Sequence, residues 1–529
     1  MTAAEISGPI RTRLDRLRCA LLDPARCDRA VLFLLAGYAA IWTLYASIVR
    51  SGQDLHPDMA ELIAWSRDLS FGYLKHPPLA AWLVRSWFSV LPLTDWSYYL
   101  LAMLMPTIAL WIVWRLSADY LELDKRVLGV ALLTLVPFYN FHALKFNANT
   151  VLLPTWAATT FWFMRAYRTQ SVIYSALTGV GAALCLLGKY WSVFLIAGLV
   201  FAALIDSRRV TYFRSAAPWV ATITGFSMLA PHVVWLYQHD FVPLDYAFAR
   251  HDANSLVGAT AHALSYLLGS FAYAAAPIIL VLATTRPSGA TLVEMIWPSD
   301  RERRLVAAVF WGPLLLPIVG ALTERINLTS LWSMPGLTLL PILLLSAPAV
   351  KVPSIDLRRV LAVTFSVPLV MLIVAPMVAV AIQYAGVSPN EAHARLMAAK
   401  TEDAWHQITP QPLRFVGCNF ADQVVAYAAD RPRTLPARAF AGNIADQVYA
   451  DVYNWPRTPG EPASTEAELT QSGMALVCST DEASWVNAAA ERAARDAGSR
   501  RTDVEITRNF LGIPGRPHRY VIFIIPPQQ

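Results

Sequence analysis

The 529-residue chain is 56% hydrophobic and only 15% charged, with a positive mean hydropathy, which excludes an ordinary water-soluble globular protein and predicts a polytopic helical membrane protein. The formal net charge of +6 does not point to nucleic acid, because the basic residues are scattered over short stretches between apolar runs, as membrane topology requires.

In chain order, Arg11, Arg13, Arg16, Arg18, Arg26 and Arg29 precede the first apolar run at 30–49, which is long enough to cross a bilayer and carries no small-residue cleavage site. We read an uncleaved first span with residues 1–29 in the cytoplasm; a signal peptide is the weaker alternative. Further spans are expected at 97–116, 126–143, 150–167, 173–187, 190–206, 216–236, 258–284, 304–322, 329–347 and 359–384, about eleven in all. Segment 79–93 is apolar but short and has Arg85 at its centre, so it is read as an interfacial helix on or dipping into the bilayer. That parity puts the basic stretches 165–171, 206–215, 286–304 and 351–359 inside, and 51–96, 144–150, 188–191, 236–255, 323–327 and everything after 385 outside. Three divisions follow: 1–29, a membrane region 30–384, and a small α/β domain at 385–529. The last has strand-like runs at 413–418, 474–479 and 520–526 and a helical stretch at 481–498. Cys418 and Cys478 fall in this domain, either as a disulfide if it is exported or as two buried thiols.

The most informative stretch is "HPDMAELIAWSRDLSFGYLKHPPL", residues 56–79. On a helix, Asp58, Glu61, Trp65 and Asp68 share one face and Met59, Leu62, Ile63, Ser66 and Leu69 another, which predicts a helix lying in the interface with its apolar side on lipid. Gly72 allows a turn, and Pro77-Pro78 stops the helix. A solvated linker would need nothing more. Yet the other outer segments, though short, carry Lys145, Lys189, Arg250, His251 and Arg325, a set of basic residues that suits an anionic substrate. One carboxylate among cations at a membrane surface suits displacement of a phosphate leaving group from a lipid-borne sugar. The carboxylate takes the proton of the attacking hydroxyl, and the cations stabilise the departing phosphate. Tyr73 and Tyr246 are candidates to contact the sugar, as are Lys145, Asn147 and Asn149 at the start of a span.

The same loop resembles the first extracytoplasmic loop of GT-C glycosyltransferases of the aminoarabinose-transferase and protein O-mannosyltransferase superfamily, in which an Asp-Glu pair opens an interfacial helix and Lys- or His-Pro-Pro-Leu closes the loop. "ALKFNANTVLLPTW" (143–156), "LLGKYWSVFL" (186–195), "PHVVWLYQHDFVPLDYAFARH" (231–251) and "LTSLWSMPG" (328–336) continue the likeness in order, over roughly 30–440, and look most similar to the branch of rhizobial lipid A and core galacturonosyltransferases. The resemblance implies inverting transfer from a polyprenyl-phosphate sugar donor to a lipid or glycan acceptor, at the periplasmic face of a bacterial inner membrane. It puts the catalytic aspartate at Asp58 and phosphate contacts at His76 and Lys189. Glu61 is expected to assist Asp58, and Lys75, Arg250 and Arg325 to help hold the donor phosphate, with His251 nearby. Three departures stand out. Met59 replaces the glutamate of the pair, Asn149 replaces an acid before the span, and Lys75 stands where some relatives have a metal-holding acid. No metal or other cofactor is expected, with a divalent ion left open, and the chain is expected to act as a monomer among membrane lipids. Alternatives are a protein O-mannosyltransferase with a Ser/Thr acceptor, an anionic-lipid flippase, for which the spans hold few charges, and a scaffold, which would leave the outer cations without purpose.

Overall fold

The computed structural model describes residues 16–528 except 18, 252, 254, 353 and 442–465, so Arg11, Arg13 and Arg18 lie outside the described residues. Its membrane region begins with α1 (Cys27–Val49), followed by two short helices, α2 (Pro57–Ser66) and α3 (Leu79–Phe88), and by α4 (Asp95–Ser117). Then come α5 (Leu123–Leu133), α6 (Ala148–Thr169), α7 (Val172–Gly188), α8 (Val193–Ile205), α9 (Ala217–Gln238), α10 (Val242–Arg250), α11 (Leu256–Tyr273), α12 (Ala275–Thr285), α13 (Arg301–Glu324), α14 (Leu340–Leu345) and α15 (Ser354–Ala385).

Among the described residues, five helices are long and apolar enough to cross a membrane, or six if α11 and α12, bent by 54° at Ala274, form one broken span. The expected spans are therefore continuous in some places and interrupted in others. The run 126–143 stops as a helix at Leu133 and continues as a 3₁₀ turn over Pro137–Tyr139, because proline removes a donor and clashes with the preceding turn. The run 329–347 is largely 3₁₀, Ser330–Leu339, before the short α14. Large apolar side chains such as Trp219, Ile223 and Phe226 on α9 and Ile373 and Met377 on α15 are exposed, as on a surface that lipid covers.

The first outer loop departs from a simple interfacial helix. Met59, Ala60, Leu62, Ile63 and Ala64 of α2 are buried, and they pack into two clusters of protein rather than facing lipid. One cluster is built with α3 and α4; the other, through Ala64, reaches the core of the C-terminal region. Segment 79–93 forms a helix of only 10 residues, short of the length a span needs. Its helix α3 packs on α6 and α7, and Arg85 turns back to donate to the Ser66 and Arg67 carbonyls at the end of α2 (2.9 and 3.1 Å), which removes the need for a charge in lipid. The turn at 68–72 is pinned: Trp82 Nε1 donates to Ser70 O (2.8 Å), His232 Nδ1 lies 2.5 Å from Phe71 O, and a side chain on Gly72 would meet Trp235 of α9 at 2.2 Å.

After α15 the chain forms α16 (Ala394–His406), α17 (Ala421–Tyr427), α18 (Ala483–Ala494) and a five-stranded sheet. Its strands are β1 (Phe415–Gly417), β2 (Arg433–Thr434), β3 (Met474–Ser479), β4 (Arg500–Ile506) and β7 (His518–Ile525), in the order β2-β1-β3-β7-β4, with β5 (Asn509–Phe510) and β6 (Ile513–Pro514) as a separate hairpin. Strands β1, β2 and β3 are parallel and β7 runs antiparallel between β3 and β4. Strand alternation sorts the core: Tyr520, Ile522 and Ile524 face α16 and α17, while Val521, Phe523 and Ile525 face α18. Cys418 and Cys478 form a disulfide across β1 and β3, which resolves the two alternatives left by the sequence. The sheet region is tied to the first loop by the fully buried Asp54, whose carboxylate accepts from Arg508 Nη1 (2.7 Å) and from the Arg395 backbone N–H (3.1 Å), and by Arg50 Nη1 to Glu391 (2.7 Å).

Candidate active site

Asp58 lies in the first turn of α2, where Pro57 presets the helical φ and His56 is the N-cap, its Nδ1 accepting from the Asp58 backbone N–H (3.1 Å). Asp58 Oδ2 accepts from Asn147 Nδ2 (3.0 Å) and lies 3.2 Å from Lys145 Nζ. Asn147 is itself the N-cap of α6: its side-chain oxygen accepts from the Asn149 and Thr150 N–H groups (3.0 and 3.3 Å), so its NH₂ is the end left to face Asp58. Burial alone would raise the Asp58 carboxyl, but the Lys145 ammonium leads a set of neighbours that hold it below the ordinary range, and it is ionised at neutral pH.

Lys189, the C-cap of α7, donates from Nζ to Asn149 Oδ1 (2.7 Å) and sits 5.0 Å from the centre of the Trp332 ring. Burial pushes its ammonium down to about 7, with Asp58 opposing and Lys145 adding to the fall. His251 packs edge-on against the same Trp332 ring at 4.8 Å. Thus Asp58, Lys145, Asn147, Asn149, Lys189 and His251, brought in from four helices and the segment before α6, form one polar cluster at the start of α6 and the end of α7. His76 borders it. Burial, then Lys189 and Lys75, push its ring down to about 3, and burial with Lys189 and Arg250 lowers His251 to about 4. At neutral pH each is therefore an uncharged ring that offers one N–H, so His251 does not add the positive charge expected of it as one of the basic residues.

Glu61 and Lys75 also depart from expectation. They pair directly with each other and are mostly buried. Glu61 is pushed up to about 7 by burial, with Lys75 opposing and Asp422 of α17 reinforcing the rise. Asp422, also raised by burial, accepts from Thr434 Oγ1 at 3.0 Å. Glu61 thus pairs with Lys75 rather than with Asp58, and the Lys75 ammonium, although it also acts on His76, is engaged by the Glu61 carboxylate. Both belong to the contact between α2 and the sheet region.

Tyr73 is buried, stacked on Trp65 (5.1 Å, 4°), and its hydroxyl donates to Asp68 O (2.7 Å), so it braces the loop rather than presenting its hydroxyl to a ligand. Tyr246 of α10 packs against the core of the sheet region beside Glu61 and Lys75. Arg250 ends α10 and is exposed. Arg325 is exposed at the end of α13 with φ 53°, and its carbonyl accepts from Ala253 N–H (2.7 Å); its backbone, rather than a side-chain contact with Asp58, shapes the outer rim. Three residues of consequence escaped the sequence reading: His56, Asp422 and Trp332. The His-Pro-Asp order, a cap before a proline at the first helical position, could have signalled His56. Nothing local signals the other two. Among the described residues no group of three or more His, Cys, Asp or Glu is placed to hold a metal ion. In the Asp58 cluster the neighbours of the carboxylate and of Asn149 are lysine ammoniums.

A family model described as dolichyl-phosphate-mannose-protein mannosyltransferase matches residues 75–235. Among curated proteins of Rhizobium johnstonii, the chain is 23% identical over 223 residues to lipid A galacturonosyltransferase RgtD and 24% identical over 329 residues to lipopolysaccharide core galacturonosyltransferase RgtA. These alignments cover 40% and 59% of this chain and only 44% and 63% of the two relatives. Among solved structures, ArnT from Cupriavidus metallidurans, bound to undecaprenyl phosphate, superposes with a TM-score of 0.57 at 12% identity, covering 94% of this chain and 99% of that one; its apo form gives 0.58 at 11% with the same coverage. The chain thus has the fold of ArnT and sequence similarity to protein mannosyltransferases and rhizobial galacturonosyltransferases, which bears out the GT-C glycosyltransferase resemblance; the family match begins at residue 75, so Asp58 lies ahead of it.

Proposed function

We propose that the protein is an inverting glycosyltransferase that moves a sugar from a polyprenyl-phosphate donor to a lipid A or lipopolysaccharide-core type acceptor at the periplasmic face of a bacterial inner membrane, with the short apolar helices completing the set of spans. The observation that carries this reading is the ionised Asp58 beside Lys145, with Lys189 and neutral His76 close by, at the start of α6 and the end of α7. In the reaction an acceptor hydroxyl oxygen attacks C1 of the sugar, the bond from C1 to the phosphate oxygen breaks, and the polyprenyl phosphate leaves. Asp58 takes the hydroxyl proton. Lys189, and Lys145 while it also faces Asp58, meet the negative charge that grows on the leaving phosphate, and the ring N–H of His76 adds a hydrogen bond. The lipid-linked donors implied by the family model, and the lipid A and core acceptors in the names of the two rhizobial relatives, support the substrate classes. The family model also favours a second reading, transfer to a Ser or Thr hydroxyl of a protein. Mass spectrometry of lipid A and core from cells with and without the gene separates the two: a mass difference of one sugar in either glycolipid is expected, and unchanged glycolipids with an altered glycoprotein would favour the second.

A further inference from the structure

At the far end of α2 from Asp58, a second group of cations has no role in the scheme above. Arg67 is the C-cap of α2, and its Nε and Nη2 are buried yet have no hydrogen-bond partner. Buried guanidinium N–H groups without acceptors are costly and are normally satisfied. Arg85 reaches the same helix end, donating to the Ser66 and Arg67 carbonyls. From the sheet region, the turn before β2 brings in Arg431, close enough that its charge disfavours that of Arg67, and Arg433 on β2, whose Nε lies 3.2 Å from Asp68 Oδ1. Asp68 is thus the acidic side chain within the group, whereas Asp430, next in sequence, points elsewhere, accepting from the Leu413 backbone N–H (2.7 Å) and facing His406 (3.1 Å). A helix C-terminus accounts for one or two of these arginines. It does not account for four, one of them with two unmet donors. Beside them, in the pinned turn, Leu69 and Phe71 are 71% and 49% exposed, an apolar edge next to the arginines.

We propose that Arg67, Arg85, Arg431 and Arg433 form a second anion site, for the phosphate of a lipid-borne molecule whose acyl part lies along Leu69 and Phe71. Guanidinium groups suit this ligand, since their planar forks match phosphate oxygens. The site lies about 14 Å along α2 from Asp58, nine residues at 1.5 Å each. A glycolipid held there by its phosphate therefore presents a sugar, not the phosphate, to the carboxylate. The phosphate comes from the acceptor, a source that rests on the transferase reading, or from an anionic lipid of the surrounding bilayer.

The test uses the full-length protein in neutral detergent, titrated with dihexanoyl phosphatidic acid and, as a zwitterionic control, dihexanoyl phosphatidylcholine, with the thermal midpoint as readout. Wild type and Asp58→Asn should bind the phosphatidic acid alike and in preference to the control. The Arg431→Gln/Arg433→Gln double variant, altered only at exposed positions, should bind it at least tenfold more weakly, and Arg431→Lys/Arg433→Lys should retain most of the affinity. Equal affinity in the glutamine variant, or no preference for phosphatidic acid in wild type, overturns the site. A second arm measures transfer to lipid A with and without its phosphates. If the glutamine variant raises KM about tenfold for the phosphorylated acceptor alone, with kcat and donor KM unchanged, the phosphate is the acceptor's; if acceptor KM is unchanged, it belongs to a bilayer lipid. Absence of any transfer by wild type would refute the transferase reading and leave the binding result standing.

Discussion

Asp58 and Glu61 sit one turn apart on the same helix, and the protein gives them opposite fates. Asp58 is 43% exposed at the side chain and, facing Lys145 and Asn147, has its carboxyl held below the ordinary range. Glu61 is turned into the contact with the sheet region, where burial and the nearby Asp422 raise it to about 7 although Lys75 touches it. Helical spacing assigns a face. The partner that the rest of the chain brings to that face decides whether a carboxylate stands ready for chemistry or closes an interface.

The sharpest test of this contrast is Asp58→Asn, which should lower transfer by about a thousandfold, the contribution of a positioned general base, while leaving the thermal midpoint near wild type. Wild-type turnover in membranes carrying that variant would remove the base. Next in size is Lys189→Met, with about a tenfold fall in kcat/KM for the donor at pH 6. The sign of the pH effect follows from the lysine being lowered to about 7: below that pH it is an ammonium and holds the phosphate, and above it the charge is lost. Wild-type kcat/KM for the donor should therefore fall as pH rises through about 7, and the variant should show a flat profile over that window; an identical limb in both proteins would assign it to another group. Glu61→Gln should reduce the rate only a few-fold and change stability little at neutral pH, because the carboxyl is already pushed up to about 7 and the amide oxygen can still accept from Lys75. A loss of activity as deep as that of Asp58→Asn, at unchanged stability, would return Glu61 to the chemistry. The smallest effect is expected from excess chelator. Lysine ammoniums beside Asp58 and Asn149 compete poorly with a design for a divalent ion, so the rate should change by less than twofold; complete loss restored by a metal would contradict this.

Much of the fold was legible because hydropathy reports length. Runs such as 30–49, 97–116, 216–236 and 304–322 became single helices, and the segment with Arg85 at its centre holds a helix of only ten residues. What hydropathy does not report is regularity. The breaks at Pro137 and Ala274 and the 3₁₀ stretch at Ser330–Leu339 are as apolar as the helices around them. In the C-terminal region the buried strands β3 and β7 stood out, whereas β4, with arginines, an aspartate and a glutamate on an exposed edge, carried no apolar pattern to find. The site divided in the same way. Asp58, Lys145, Asn147 and Lys189 were visible as polar residues flanking spans. The pairing of Lys75 with Glu61, and the approach of Asp422 from hundreds of residues away, arise only when the sheet region closes on α2. The low ring pKa values of His76 and His251 likewise depend first on burial and then on Lys189, which no linear motif brings to either ring.

Asn147 is a hinge pin between architecture and reactivity. Its carbonyl oxygen is committed to the first turn of α6, so the amide cannot flip, and its NH₂ and Lys145 both engage Oδ2 of Asp58. His56 Nδ1, 3.6 Å from Oδ1, already accepts from a backbone N–H and has no proton to give when the ring is neutral. The two oxygens of one symmetric group are thereby made unequal, and Oδ1 is the one whose lone pairs the proposed reaction would use. On the proposed function, the direction from which an acceptor arrives is set by the way α6 begins.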